Sequence, residues 1–171
     1  MVSIENTHNK GGGFAWPLEA IDDVGSAAKE LGLRFHIDGA RLWNAGVATG
    51  EPLSRIVRAA DSVSVCFSKG LGAPVGSALA GDADTISLAR RWRKLLGGSM
   101  RQAGVLAAAA LHALDHHVER LSEDHEHAAM LADAIQGSLE MSLDPSLERT
   151  NIVFARMRPD GSLEEQNEAA D

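Results

Sequence analysis

The chain has 171 residues, 44% hydrophobic and 23% charged, which is enough apolar content for one domain with a real core and no signature of disorder. A formal net charge of −8 and a pI near 5.3 argue against nucleic-acid backbones and anionic membranes as partners, because both would repel such a surface. The single cysteine, Cys66, excludes an internal disulfide framework and a multi-cysteine zinc site; in its apolar run it reads as a packed core residue in a reducing compartment.

In chain order, "VSI" at 2–4 reads as a short buried strand that begins at once, without a polar lead-in. After the loop "NTHNKGGG", Pro17 opens a helix to about Leu31, with Leu18, Ile21, Val24, Ala27 and Ala28 near a 3.6-residue period and Gly32 as its cap. "LRFHI" at 33–37 is the next strand, ending at Asp38. "ARLWNAGVA" turns away, a helix covers roughly 53–60, and "SVSVCF" at 62–67 is a third strand that ends at Ser68 and Lys69. Alternating strands and helices predict parallel crossover units and an α/β fold, with "VGSALAG" at 75–81 adding one more strand after a glycine-rich turn. From about Ala83 the pattern is helical: "ADTISLARRWRKLL", then about 101–121 and about 123–142, with a break at "GGS". "TNIVFARM" at 150–157 is a new strand after the Pro145 loop, and "RPDGSLEEQNEAAD" is too polar and acidic to build a core. The expected organisation is a large domain over 1–122, the start of a small α+β domain over 123–157, and a polar tail over 158–171. The N-terminal stretch lacks a basic-then-apolar leader pattern and the Ala-rich run 103–111 is too short to span a bilayer, so the expected location is the cytoplasm.

Ligands of an open parallel sheet sit beyond the carboxyl ends of its strands, which here carry Glu5, Asn6 and Thr7, then Asp38 and Arg41, then Ser68 and Lys69. A lysine at a buried strand end loses hydration, so its neutral amine becomes available to attack an aldehyde. Glycines 70, 72 and 76 would let the backbone turn and approach a ligand, while Pro74 stiffens the exit. A carboxylate at the neighbouring strand end, Asp38, is what a pyridinium nitrogen needs to stay protonated while its ring takes up electrons. Lysine plus aspartate points to pyridoxal phosphate; the same residues also allow a solvated loop lysine and an Asp38–Arg41 ion pair beside a turn.

Other residues read as structural. His36 shares its side of the strand with Asp38 and is expected to be buried and bonded to structure. His112 and His116 share a helix face, and His125 and His127 lie in the next helix among acids; a solvated face is expected there, with no metal. "RRWRK" at 90–94 places four cations on one helix, either solvated near a helix C-terminus or binding an anion across a subunit contact.

The motifs "ENTHN" at 5–9, "HIDGARLWNA" at 36–45, "DSVSVCFSKGLGAPVGSALAG" at 61–81 and "RKLLGGSMRQAGVLAAAALHAL" at 93–114 resemble, in this order, the low-specificity L-threonine aldolases of the beta-eliminating lyase family. The resemblance implies a three-layer, fold-type-I pyridoxal phosphate enzyme with a mostly parallel sheet between helices. Its implied reaction is cleavage of L-threonine or L-allo-threonine to glycine and acetaldehyde. It implies Lys69 as the lysine that bonds the cofactor aldehyde, Asp38 as the partner of the pyridinium nitrogen, and Arg41 as the binder of the substrate carboxylate. Lys94 and Arg101 resemble cations that reach a neighbouring subunit's site, Lys94 toward substrate and Arg101 toward cofactor, in a homo-oligomer that is a dimer or tetramer. Ser68 and Thr7 are implied hydrogen-bond partners of the cofactor. Where the family has a third glycine in "GGGMRQ", this chain has Ser99. Family members are about twice as long, so the expectation is an internal fragment, inactive and poorly folded by itself. Two other functions remain: a lyase that eliminates at Cβ, and a non-catalytic α/β interaction module.

Overall fold

The computed structural model describes residues 1–144 and 150–158. A four-stranded sheet in the order β1-β2-β3-β4 is built from β1 (Val2–Glu5), β2 (Phe35–Gly39), β3 (Ser62–Cys66) and β4 (Ser77–Gly81). β1, β2 and β3 are parallel, and the strand expected after the glycine-rich turn, whose direction the sequence left open, is β4, antiparallel to β3. The reason is reach: a parallel neighbour needs a connection of a dozen or more residues, and the glycine-rich turn between β3 and β4 is shorter than that. The α/β class and the mostly parallel sheet stand.

Alternation along the strands gives the sheet two unlike faces. Val2, Ile4, Phe35, Ile37, Val63 and Val65 share one face and pack with α1 (Leu18–Glu30), α2 (Leu42–Thr49) and the single turn α3 (Leu53–Ile56). Ile21, Phe35, Ile37 and Ile56 are its fully buried centre, each at 0–1% exposure. α1 stops where the sequence places its cap: Gly32, at φ +66, donates to Lys29 O at 3.1 Å and Leu33 N donates to Ala28 O at 2.8 Å, so the last carbonyls are satisfied. α2 forms where the sequence suggests only a turn away from the strand, and α3 is shorter than the expected 53–60.

α4 (Ala83–Leu95) starts on an Asp82 side chain that accepts from Thr85 N at 2.7 Å, and runs back beside β4. α5 (Gly104–His116) and α6 (Leu121–Gln136) follow, each ending before the expected 121 and 142. Instead of continuing to 142, the chain after α6 forms β5 (Met141–Leu143), antiparallel to β6 (Ala155–Met157), which is shorter than the strand expected over 150–157. Thr150 Oγ1 donates to Gly13 O at 2.6 Å, tying this last segment to the loop after β1. The Pro145 loop and the polar tail from 159 lie outside the described residues.

Candidate active site

The second sheet face is polar. Ser3, His36 and Ser62 are aligned across the three parallel strands, and Glu5, Asp38 and Ser64 form the next row toward the carboxyl ends. His36 is bonded to structure as expected, held at Nδ1 by Ser62 Oγ at 2.9 Å, but is half-buried where burial was expected. Cys66 falls on this face as well and is half-buried, not packed in the core, because it is two residues beyond Ser64 in an alternating strand.

Asp38 stands exposed at the middle of this edge. Ala40 N donates to its Oδ1 at 3.1 Å and Ser64 Oγ to the same oxygen at 3.4 Å. Its Oδ2 has no partner among the described residues, so the carboxylate is oriented by one oxygen and free at the other. Asp38, Glu5, His8, Phe14 and Trp16 line a cleft of about 540 Å³ with Ser3 and Ile4. Trp16 fixes its wall by donating from Nε1 to Glu5 O at 3.0 Å and from its backbone N to Asn6 Oδ1 at 3.2 Å. Behind this wall Thr7 is 0% and Asn6 1% exposed, and Thr7 Oγ1 and Asn6 Nδ2 are buried without a hydrogen-bond partner among the described residues.

Lys69 sits in a tight turn at the end of the next strand. Gly72 N donates to Lys69 O at 2.8 Å, and Phe67 closes the loop by donating to Gly76 O at 3.0 Å and accepting from Ala73 N at 3.0 Å. Two glycines have the positive φ that such a turn requires, Gly72 at +75° and Gly76 at +124°. Gly70 serves a close approach: a Cβ there would lie 2.8 Å from Leu121 Cδ2. Leu71 and Ala73 anchor the turn in a second core with Ala113 and Leu121, flanked by Trp43, Phe67 and Val118. The Lys69 side chain itself is exposed, as is Ser68, which corrects the expectation of a buried strand-end lysine. β3 ends before Ser68, and the turn projects both residues outward while burying Leu71 in their place.

Arg41 immediately precedes α2, is half-buried, and its guanidinium has no partner among the described residues. No Asp38–Arg41 ion pair forms. Lys94, in the last turn of α4, and Arg101 beyond it are exposed, and neither bonds to Asp38 or Lys69. Two other cations of α4, Arg90 and Arg93, are exposed and line a cleft of about 420 Å³ together with Ser64, Ser77 and Leu79.

Sequence reasoning missed the supports of the Lys69 turn. His117 Nδ1 donates to Leu71 O at 2.6 Å, and Asn44, only 3% exposed, bonds through Nδ2 to His125 Nε2 at 3.1 Å. His125 is thus no part of a solvated face: burial pulls its pKa below the ordinary 6.5 against the opposing effect of Asp124, and the neutral ring accepts from Asn44. His117 was legible in the helical period, being four residues after the buried Ala113. His112 and His116 are exposed with ring centroids 4.4 Å apart, and no group of three or more potential metal ligands occurs among the described residues.

An exposed amine on a fixed turn and a carboxylate with one free oxygen, on neighbouring strand ends, fit a cofactor that carries an aldehyde and a basic ring nitrogen. The buried orphan Thr7 Oγ1 leaves a further hydrogen-bonding atom at the same edge.

A family model described as "Beta-eliminating lyase" matches residues 1–159. An Arabidopsis thaliana protein named "Probable low-specificity L-threonine aldolase 2" is 49% identical over 94% of this chain and 45% of its own length. The Escherichia coli K12 protein named "Low specificity L-threonine aldolase" is 45% identical over 92% of this chain and 45% of its own. Among solved structures, a Listeria monocytogenes protein described as an L-allo-threonine aldolase superposes with a TM-score of 0.80 at 27% identity, covering 87% of this chain and 42% of that one. The chain therefore spans a little under half the length of the curated relatives it matches.

Proposed function

The chain belongs to the beta-eliminating lyase family, and on that premise we propose that the protein carrying it is a pyridoxal phosphate-dependent aldehyde-lyase that cleaves L-threonine or L-allo-threonine to glycine and acetaldehyde. The observation that carries this reading is the free amine of Lys69 on a braced turn, one strand away from the half-tied carboxylate of Asp38.

In this proposal Lys69 Nζ holds the cofactor's aldehyde carbon, and Asp38 Oδ2 accepts the hydrogen bond of its protonated ring nitrogen. Bound there, pyridoxal phosphate supplies an electron sink for the pair left when the Cα–Cβ bond of a β-hydroxy amino acid breaks. Arg41, half-buried and unpaired among the described residues, holds the substrate carboxylate with its planar fork. Ser68 beside the lysine and the buried Thr7 Oγ1 add hydrogen bonds to the cofactor. In its free form Lys69 Nζ is the group placed to take and return a proton.

Lys94 and Arg101 are assigned to the site of a second copy, within a homodimer or homotetramer. What supports this is the stripe of exposed apolar residues on α4, the helix that carries Lys94: Leu88, Trp92 and Leu95 are 57%, 54% and 66% exposed at helical spacing. No helix among the described residues is long and apolar enough to cross a membrane; a cytoplasmic location is part of the proposal. So is the division into a large domain over 1–122 and a small one from 123.

Product analysis tests the reaction. Protein expressed from its complete coding sequence should release glycine and acetaldehyde from L-threonine. 2-Oxobutanoate and ammonia would instead assign elimination at Cβ, and no product with any β-hydroxy amino acid would leave a non-catalytic module.

A further inference from the structure

We infer that His117, far from Lys69 in sequence, is a positioning residue that sets the Lys69 turn through the carbonyl of Leu71. This deepens the proposed function and rests on it, since the turn matters catalytically only if Lys69 bonds the cofactor.

The turn has few bonds of its own. Lys69 O accepts from Gly72 N, and Phe67 ties its base, but within the turn Leu71 O is left to find a donor elsewhere. That donor is His117, whose Nδ1 lies 2.6 Å from the carbonyl oxygen. A buried carbonyl without a donor is costly, so a residue that supplies one fixes where the peptide lies. The same imidazole lies against the glycine that makes the turn: a Cβ on Gly72 would sit 3.6 Å from His117 Nδ1. Leu71 is 2% exposed and cannot swing out to find water. Since Lys69 and Leu71 are separated only by Gly70, whose Cβ position is already closed by Leu121, a fixed Leu71 carbonyl leaves the lysine backbone little freedom.

The donor is Nδ1–H, which the ring carries both in the cation and in one neutral tautomer, so the hold does not require a charge. His112 packs its ring edge-on to His117 at 5.4 Å and limits rotation of the imidazole. The requirement is therefore for an N–H at the Nδ1 position and not for a histidine as such. Asparagine places its Nδ2 at nearly the same point on the side chain; phenylalanine keeps the ring but removes the donor.

The test compares wild type, His117→Asn and His117→Phe in protein expressed from its complete coding sequence. Two readouts are used: amide exchange of peptides covering 67–76, and the rate at which borohydride traps pyridoxal phosphate on Lys69. We expect His117→Phe to speed exchange over 67–76 by about tenfold, as for loss of one buried hydrogen bond, and to slow trapping at Lys69. Peptides of α1 should exchange as in wild type, which separates a local effect from unfolding, and His117→Asn should restore both readouts to within about twofold of wild type. Unchanged exchange in His117→Phe, or an asparagine variant as impaired as the phenylalanine one, overturns the inference. If wild type itself traps nothing on Lys69, the proposed function fails, while the exchange comparison still decides whether His117 holds the turn.

Discussion

The two faces of the sheet carry different kinds of information. On one, Val2, Ile4, Phe35, Ile37, Val63 and Val65 vanish under α1, α2 and α3; on the other, Ser3, Glu5, His36, Asp38, Ser62 and Ser64 form polar rows linked by hydroxyl and imidazole contacts. Parallel strands covered by apolar helices on both sides read as continuous hydrophobic runs, whereas "VSIE", "FHID" and "SVSVC" alternate. The alternation separates stability from proposed chemistry: the apolar face fixes the strands, and the polar face ends in the groups proposed to meet a ligand.

This contrast breaks most sharply at Lys69. Lys69→Ala should lower kcat/KM for L-threonine by about 10³-fold or more, the scale on which positioned proton-transfer groups act, while leaving the thermal midpoint within about 2 °C because the side chain is exposed. Steady-state kinetics beside a melting curve checks both halves. Ile37→Ala should do the reverse, costing about 2–5 kcal/mol in denaturant titration, since it opens a cavity at a residue 0% exposed. Equal effects of the two variants on stability would dissolve the distinction between faces.

A smaller effect sharpens the comparison at the brace between α2 and α6. His125 has its folded pKa lowered by burial, so between that value and 6.5 the unfolded chain binds more protons than the native one. Stability from this group is full above pH 6.5 and falls as pH drops from 6.5 toward the lower folded value. Urea midpoints measured across that interval should decline toward acid, and His125→Asn should flatten the decline. Smallest of all, Ser3→Ala on the exposed polar row should move stability by no more than about 0.5 kcal/mol, readable as an unchanged urea midpoint.

Much of this was legible in the chain. Strand ends at Glu5, Asp38 and the Ser68–Lys69 turn follow from alternating runs that stop at polar residues, and the Schellman close at Gly32 follows from a glycine after a periodic helix. The direction of β4 was less so, because it depends on the reach of the connection rather than on the strand's own residues. Lys69's exposure was hidden for a related reason: the apolar run suggests burial for whatever ends it, but the turn spends that burial on Leu71 and Ala73. Residues that brace the site across long separations, His117 on Leu71 and His125 on Asn44, leave only the faint mark of a histidine or asparagine on a buried stripe. Arg90 and Arg93, read as a solvated or intersubunit cluster, are exposed and also line a cleft with Ser64 of their own sheet, which a helix's sequence does not reveal without the path of the turn before it.

The central claim is that one lysine of four carries the cofactor. The chain holds Lys10, Lys29, Lys69 and Lys94. Protein expressed from its complete coding sequence, incubated with pyridoxal phosphate, reduced with borohydride and mapped by peptide mass spectrometry, should carry the pyridoxyl group on Lys69 and on none of the other three. A pyridoxyl group on Lys10, Lys29 or Lys94 with Lys69 unmodified, or no adduct at all, would contradict it.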